Sequence, residues 1–132
     1  MWEKKGDPIR DANDLVKAIE TLCEIEKVYW LYPMRGKVAD DPLVVVGTIS
    51  HSSLAEWGGD ESAVTDTYTV DIFTAEQEKL EHFVKLISKH LLSNDVRTVG
   101  RMDGRDGASQ RWAAHLTVRA SYDVYGRTFR GD

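Results

Sequence analysis

The side chains best equipped for chemistry in this sequence are four histidines, one cysteine and a serine-rich stretch. Ser50-His51-Ser52-Ser53 together with Asp71 supplies the residue types of a nucleophilic triad: hydroxyl, imidazole and orienting carboxylate. Neighbouring residues of a strand project to opposite faces, however, so Ser50 and His51 are not natural partners. His51, His82, His90 and His115 are scattered, with no HExxH and no cysteine pair, and His82 and His90 stand too far apart on one helical stretch to share an ion. Asp103 and Asp106 offer carboxylates for a loosely held divalent ion, without the spacing of an EF-hand loop. No Walker-type phosphate loop, GxGxxG or GxSxG is present. Cys23 is the sole cysteine, so no intrachain disulfide is possible, and its neighbours Glu20, Glu24 and Glu26 have the wrong sign to activate a thiolate. The terminal Arg130-Gly131-Asp132 matches an integrin-recognition tripeptide, but it stands without a disulfide framework. The residues therefore predict no catalytic group, no metal and no cofactor: a non-enzymatic protein.

The elements that would position these residues fit one domain over residues 1–132, with 126–132 read as a flexible C-terminal tail. Apolar residues make up 42% and charged residues 30%, a globular composition. No stretch approaches the ~18 apolar residues of a membrane span. Met1–Pro8 lacks an apolar signal region, which predicts folding in a cytoplasm. The net charge of −5 is unevenly spread. Residues 1–96 hold 10 Lys/Arg against 18 Asp/Glu (−8), whereas residues 97–132 hold 7 Arg against 4 Asp (+3). So acidic a chain is a poor general binder of nucleic acid. Its acidic and basic regions could instead meet between neighbouring copies.

Leu15, Ala18, Ile19, Leu22 and Ile25 recur at helical spacing, predicting a helix over Ala12–Lys27 capped by Asp11 or Asn13. Val28–Tyr32, Leu43–Ser50 and Thr67–Phe73 read as strands. Between the last two, His51–Asp66 reads as a long polar hairpin loop, or as two strands that project past the domain body. Thr74-Ala75-Glu76-Gln77 has the form of a capping box that opens a second helix, whose apolar face is Leu80, Phe83, Val84, Ile87 and Leu91. Val96–Met102 reads as a strand, Asp103–Gly107 as a turn, and Trp112–Val124 as one long alternating strand. The order α-β-β-β-α-β-β predicts an α+β fold: a mainly antiparallel mixed sheet of four to five strands with two helices on one face. A sheet so incompletely covered is a surface for another chain.

The phrase Tyr68-Thr69-Val70-Asp71-Ile72-Phe73-Thr74, running into a helix rich in Glu, Lys and Leu, resembles the tail terminator (tail completion) proteins of bacteriophages with long non-contractile tails. An Arg-bearing strand, an acidic glycine-rich turn and a final strand follow in the order of that family. Tyr32-Pro33 and the Val44-Val45-Val46 strand also fit, so the resemblance covers about residues 12–125. It implies a minor tail protein at the head–tail junction of the virion, assembled in the bacterial host cytoplasm. Such proteins form a homo-oligomeric ring, usually a hexamer, that caps the tail tube protein and presents a surface to the head connector or completion protein. They involve no membrane and read no nucleic-acid sequence, although DNA passes through the ring lumen. The expected ring and tube contacts are Trp57, Asp60 and Glu61 in the hairpin loop and Arg97, Arg101 and Arg105 in the basic stretch. Trp57 stands out because a lone Trp in a polar loop calls for something to cover it. The alternative is a small ligand-binding or regulatory domain that dimerises through its sheet, with a cleft lined by Tyr29, Trp30 and Trp112.

Overall fold

The computed structural model describes residues 2–3, 9, 11–30, 40–53, 63–94, 96–107, 110–123 and 128–129. Of these, 2–3, 50–53, 63–64, 121–123 and 128–129 are described through the backbone alone. The elements are β1 (Trp2–Glu3), α1 (Ala12–Leu22), β2 (Val28–Trp30), β3 (Leu43–Ser53), β4 (Ala63–Thr74), α2 (Gln77–Leu92), β5 (Val96–Arg105), β6 (Trp112–Asp123) and β7 (Thr128–Phe129). Five principal strands and two helices make the α+β fold expected, with two short terminal strands added.

The period-2 alternation of β4 and β6 sets the core. Tyr68, Val70 and Ile72 on β4 and Ala114, Leu116, Val118 and Ala120 on β6 are buried, and both sets lie under the helices. Val44 and Val46 of β3, Val28 of β2 and Val96 of β5 extend this surface. Leu15, Val16 and Ile19 of α1 and Leu80, Val84, Ile87 and Leu91 of α2 pack against it. Each fully buried Leu, Ile or Val contributes roughly 1.5–3 kcal/mol of transfer free energy, so this layer is the main source of stability.

β2 pairs with β3 in parallel, and the other pairings are antiparallel, which makes the sheet mixed. β4 lies along one edge of β6 and β5 along the other, so the principal strands run β2-β3-β4-β6-β5. β7 follows β5 on that outer edge of β6 through Tyr122↔Thr128, and β1 pairs with β7. Residues 128–129 therefore belong to the sheet, a correction to the expected tail over 126–132. β-Bulges fall between Thr48 and Ser50 and between Thr98 and Gly100.

Several boundaries also differ from expectation. α1 ends at Leu22, not Lys27, because Glu24 turns the chain with φ 54°. Its start is as read: the Asp11 carboxylate accepts from the Asp14 amide at 2.8 Å. The capping box is not formed: α2 begins at Gln77 with Glu76 as N-cap, and the Thr74 hydroxyl donates instead to the Glu76 carbonyl at 2.7 Å. Asp103 and Gly104 belong to β5, opposite Ala114 and Ala113, so the strand runs on to Arg105 and the Asp106 amide then donates to the Arg111 carbonyl at 2.8 Å. Of the two readings of His51–Asp66, the described residues agree with projecting strands, since β3 reaches Ser53 and β4 begins at Ala63.

Candidate assembly surfaces

The face of the sheet opposite the helices is a grid set by register. Leu43, Phe73, Ala113 and Gly104 form one row, and Val45, Asp71, His115 and Met102 the next. Gly47, Thr69, Thr117 and Gly100 follow. Thr67, Arg119 and Arg97 complete the sequence. Leu43, Val45 and Phe73 form a small second cluster with Tyr29 and Ala113, while Met102 is 74% exposed. At Gly47 a Cβ would stand 2.7 Å from the Thr69 Oγ1, so a larger residue there requires the Thr69 side chain to shift.

Asp71 is buried at 5% exposure, and its carboxylate bonds the Nδ1 of His115, its direct cross-strand partner. Burial pushes the Asp71 carboxyl above its ordinary value, and the His115 hydrogen bond opposes that push. Asp71 thus has a histidine partner, but not His51, whose backbone lies opposite Asp66. Asp71 and His115 thus form the carboxylate–imidazole half of a triad, and among the described residues no hydroxyl or thiol bonds the second ring nitrogen of His115. Among the described residues there is likewise no group of three or more His, Cys, Asp or Glu side chains placed to hold a metal. Asp103 is instead tied to Arg101. Cys23 is buried, and desolvation raises its thiol to about 11.

Straight alternation would put Arg97, Arg101 and Arg105 on one face of β5. The bulge at Val99 divides them. Arg97 pairs with Arg119 on the open face, whereas Arg101 lies opposite the buried Leu116, on the helix side. There Arg101 bridges two elements, meeting Glu81 of α2 at 2.6 Å and Asp103 at 2.8 Å. Its hydrogen bonds to Asp103 and Glu81 hold the guanidinium charged, and its bond to Glu81 holds that carboxyl below the usual range. Arg105 lies 4.8 Å over the Trp112 ring, a cation–π contact that carries the ladder to the end of β5. The expected basic stretch is thus split into one neutralised cation, one stacked on an aromatic ring, and one paired with its like.

Arg119 was missed by sequence reasoning, although its outward place between Val118 and Ala120 is legible from alternation. Arg97 and Arg119 stand directly opposite each other, both exposed, and neither has an ion pair or side-chain hydrogen bond among the described residues. Like charges facing across strands destabilise a sheet by roughly 0.2–1 kcal/mol. Trp57, Asp60 and Glu61 lie outside the described residues.

The aromatic cleft of the ligand-binding alternative is not assembled. Tyr29 and Trp30 are successive on β2 and point to opposite faces, and Trp112 sits on β6, roughly 14 Å away at ~4.8 Å per strand. Tyr29 lines a hollow of about 510 Å³ with Glu24, Glu26, Lys27, Asp40 and Asp41. Trp30 borders another beside Asp66 and Tyr68, and Trp112 a third beside Glu81 and Arg101. No helix among the described residues is long and apolar enough to cross a membrane. The chain matches no family model and no curated protein.

Proposed function

We propose that this chain is a virion assembly protein of the tail-terminator kind: a ring that caps a phage tail tube, ends its growth and offers a surface for joining the head. The observation that carries this reading is a sheet whose strands are longer than the helix layer that covers it. β3, β4 and β6 hold 11, 12 and 12 residues. At ~3.3 Å per residue they run roughly 36–40 Å, whereas the 16 residues of α2 cover about 24 Å. The strands therefore outrun the helix layer. Among the described residues no helix lies over the second sheet face, whose β5–β6 side is exposed at Met102, His115, Arg97 and Arg119 while Leu43, Val45, Asp71 and Phe73 are buried, and β5 is exposed along nearly its whole length. A long, charged edge strand resists indiscriminate pairing while leaving a specific partner a place to dock.

The element order supports the same reading. Tyr68–Thr74 lies in a central strand and leads within two residues into α2, after which the Arg-bearing β5 and the long β6 follow. In this reading the mechanism is surface complementarity and symmetry, with no covalent step. Unlike patches that meet head to tail close into a ring when the rotation per copy allows it. The ring would sit at the head–tail junction, with tube protein on one side and head connector on the other.

Light scattering across protein concentration, with negative-stain images of the same sample, tests this. A ring-sized species with a central hole is expected. A compact dimer at every concentration refutes the reading. A monomer moves the test to samples containing tail tubes, where failure to bind tube ends refutes it.

A further inference from the structure

Among the described residues, the sheet carries a cation pair with no counter-charge at one corner and carboxylates with none at the diagonally opposite one. Arg97 and Arg119 occupy the β5–β6 flank of the open face, at the level of Thr67. Glu24 and Glu26 occupy the turn that leads from α1 into β2, at the level of Leu43 and beyond the other sheet edge. All four are exposed, and none has a side-chain hydrogen bond or ion pair among the described residues. The other charges around that turn are engaged. Asp40 accepts from the Tyr29 hydroxyl at 2.9 Å, Asp41 meets Lys79 at 3.4 Å, and Lys27 lies over the Tyr29 ring at 5.5 Å. By strand spacing and rise, the two corners are separated by about 25 Å.

We infer that copies of this chain dock head to tail, the Arg97–Arg119 pair of one copy receiving the Glu24–Glu26 turn of the next. Facing guanidiniums with no counter-charge among the described residues are suited to a pair of carboxylates. A second copy supplies them, and the net charge of −5 disfavours nucleic acid as the occupant. The two patches differ and lie at opposite corners, so the contact is heterologous, the kind that makes a ring or a filament rather than a closed dimer. Docking also relieves the repulsion between Arg97 and Arg119. This inference rests on the ring reading and specifies its subunit contact.

The test is a charge swap on the full chain. R97E/R119E and E24K/E26K are each examined by light scattering at low salt, alone and mixed in equal amounts, with circular dichroism to establish folding. Wild type should associate, and more weakly as salt rises. Each variant alone should lose association by more than about tenfold, because its patches then carry like charge. The mixture should recover it, since each patch of one variant then faces an opposite charge on the other, giving alternating assemblies with even copy number. Folded variants that keep wild-type mass, or a mixture that stays monomeric, overturn the contact. Rings that persist through both reversals overturn the contact and leave the ring reading standing. Wild type monomeric at millimolar concentration in low salt overturns the contact, and tail tubes then decide the ring reading separately. A labelled oligonucleotide that binds wild type and E24K/E26K equally but not R97E/R119E would assign the pair to phosphate and overturn the proposal.

Discussion

Deleting one residue from β5 tests whether the bulge, and not local exposure, decides where the arginines point. Removing Val99 lets Thr98 and Gly100 pair with Val118 and Thr117 as an unbroken ladder, and every other residue keeps its face. Val99 is 51% exposed, so about half of a buried valine's contribution is lost, roughly 1 kcal/mol. The regular ladder returns about 0.5–1.5 kcal/mol, leaving a net change within roughly 1 kcal/mol. Removing Met102, which is 74% exposed, should be milder still if contacts alone mattered. Register forbids that. If the bulge is absorbed, Gly100 replaces Arg101 opposite Leu116, and Arg101 leaves Glu81. If the bulge persists, Arg105 leaves Trp112, and Asp103 leaves Arg101 for the open face opposite His115. The Met102 deletion should therefore be less stable than the Val99 deletion by at least ~1 kcal/mol, the scale of one lost cation–π contact plus a misplaced charge. Urea unfolding of both chains measures this. Equal midpoints, or a more stable Met102 deletion, would refute the reasoning.

Two further perturbations probe the open face. Asp71 has a carboxyl raised above its ordinary 3.8, so the folded state holds more protons than the unfolded one just above that pH. Stability should consequently fall as pH rises from 3.8 through the raised value, and Asp71→Asn should flatten that limb of the thermal-unfolding curve. An unchanged slope would rule Asp71 out as its source. Gly47→Ala sets a Cβ 2.7 Å from the Thr69 Oγ1 and should cost about 1–3 kcal/mol by chemical denaturation, with Thr69→Ala in the same chain restoring at least half. Additive losses in the double variant would place the strain elsewhere.

Much of the fold is legible because its signals are local. The apolar spacing of Leu80, Val84, Ile87 and Leu91, and the alternation of Leu116, Val118 and Ala120, place these residues in the core in which they are found. Boundaries were less legible where a local preference competes with a partner distant in sequence. Thr74 has the side chain of a capping box, yet its hydroxyl is held by the Glu76 carbonyl. Asp103 and Gly104 look like turn residues, yet β6 offers them a ladder and Arg101 a charge partner. The short strands β1 and β7 left no pattern, because two residues are too few for alternation to register.

The candidate surfaces divide in the same way. Sequence by itself determines the elements and their order, the inward side of β4 and β6, and the uneven distribution of charge. These follow from side-chain type and period, which each segment carries alone. Tertiary structure decides which charges meet. A single extra residue at Val99 turns Arg97 away from Arg101 and Arg105, sets Arg97 against Arg119, and delivers Arg101 to Glu81. Asp71 likewise acquires His115 only because β4 and β6 pair in the register they do. Strand periodicity is 2, so one unpaired residue inverts every face after it, and no composition or spacing within the strand announces where that residue falls.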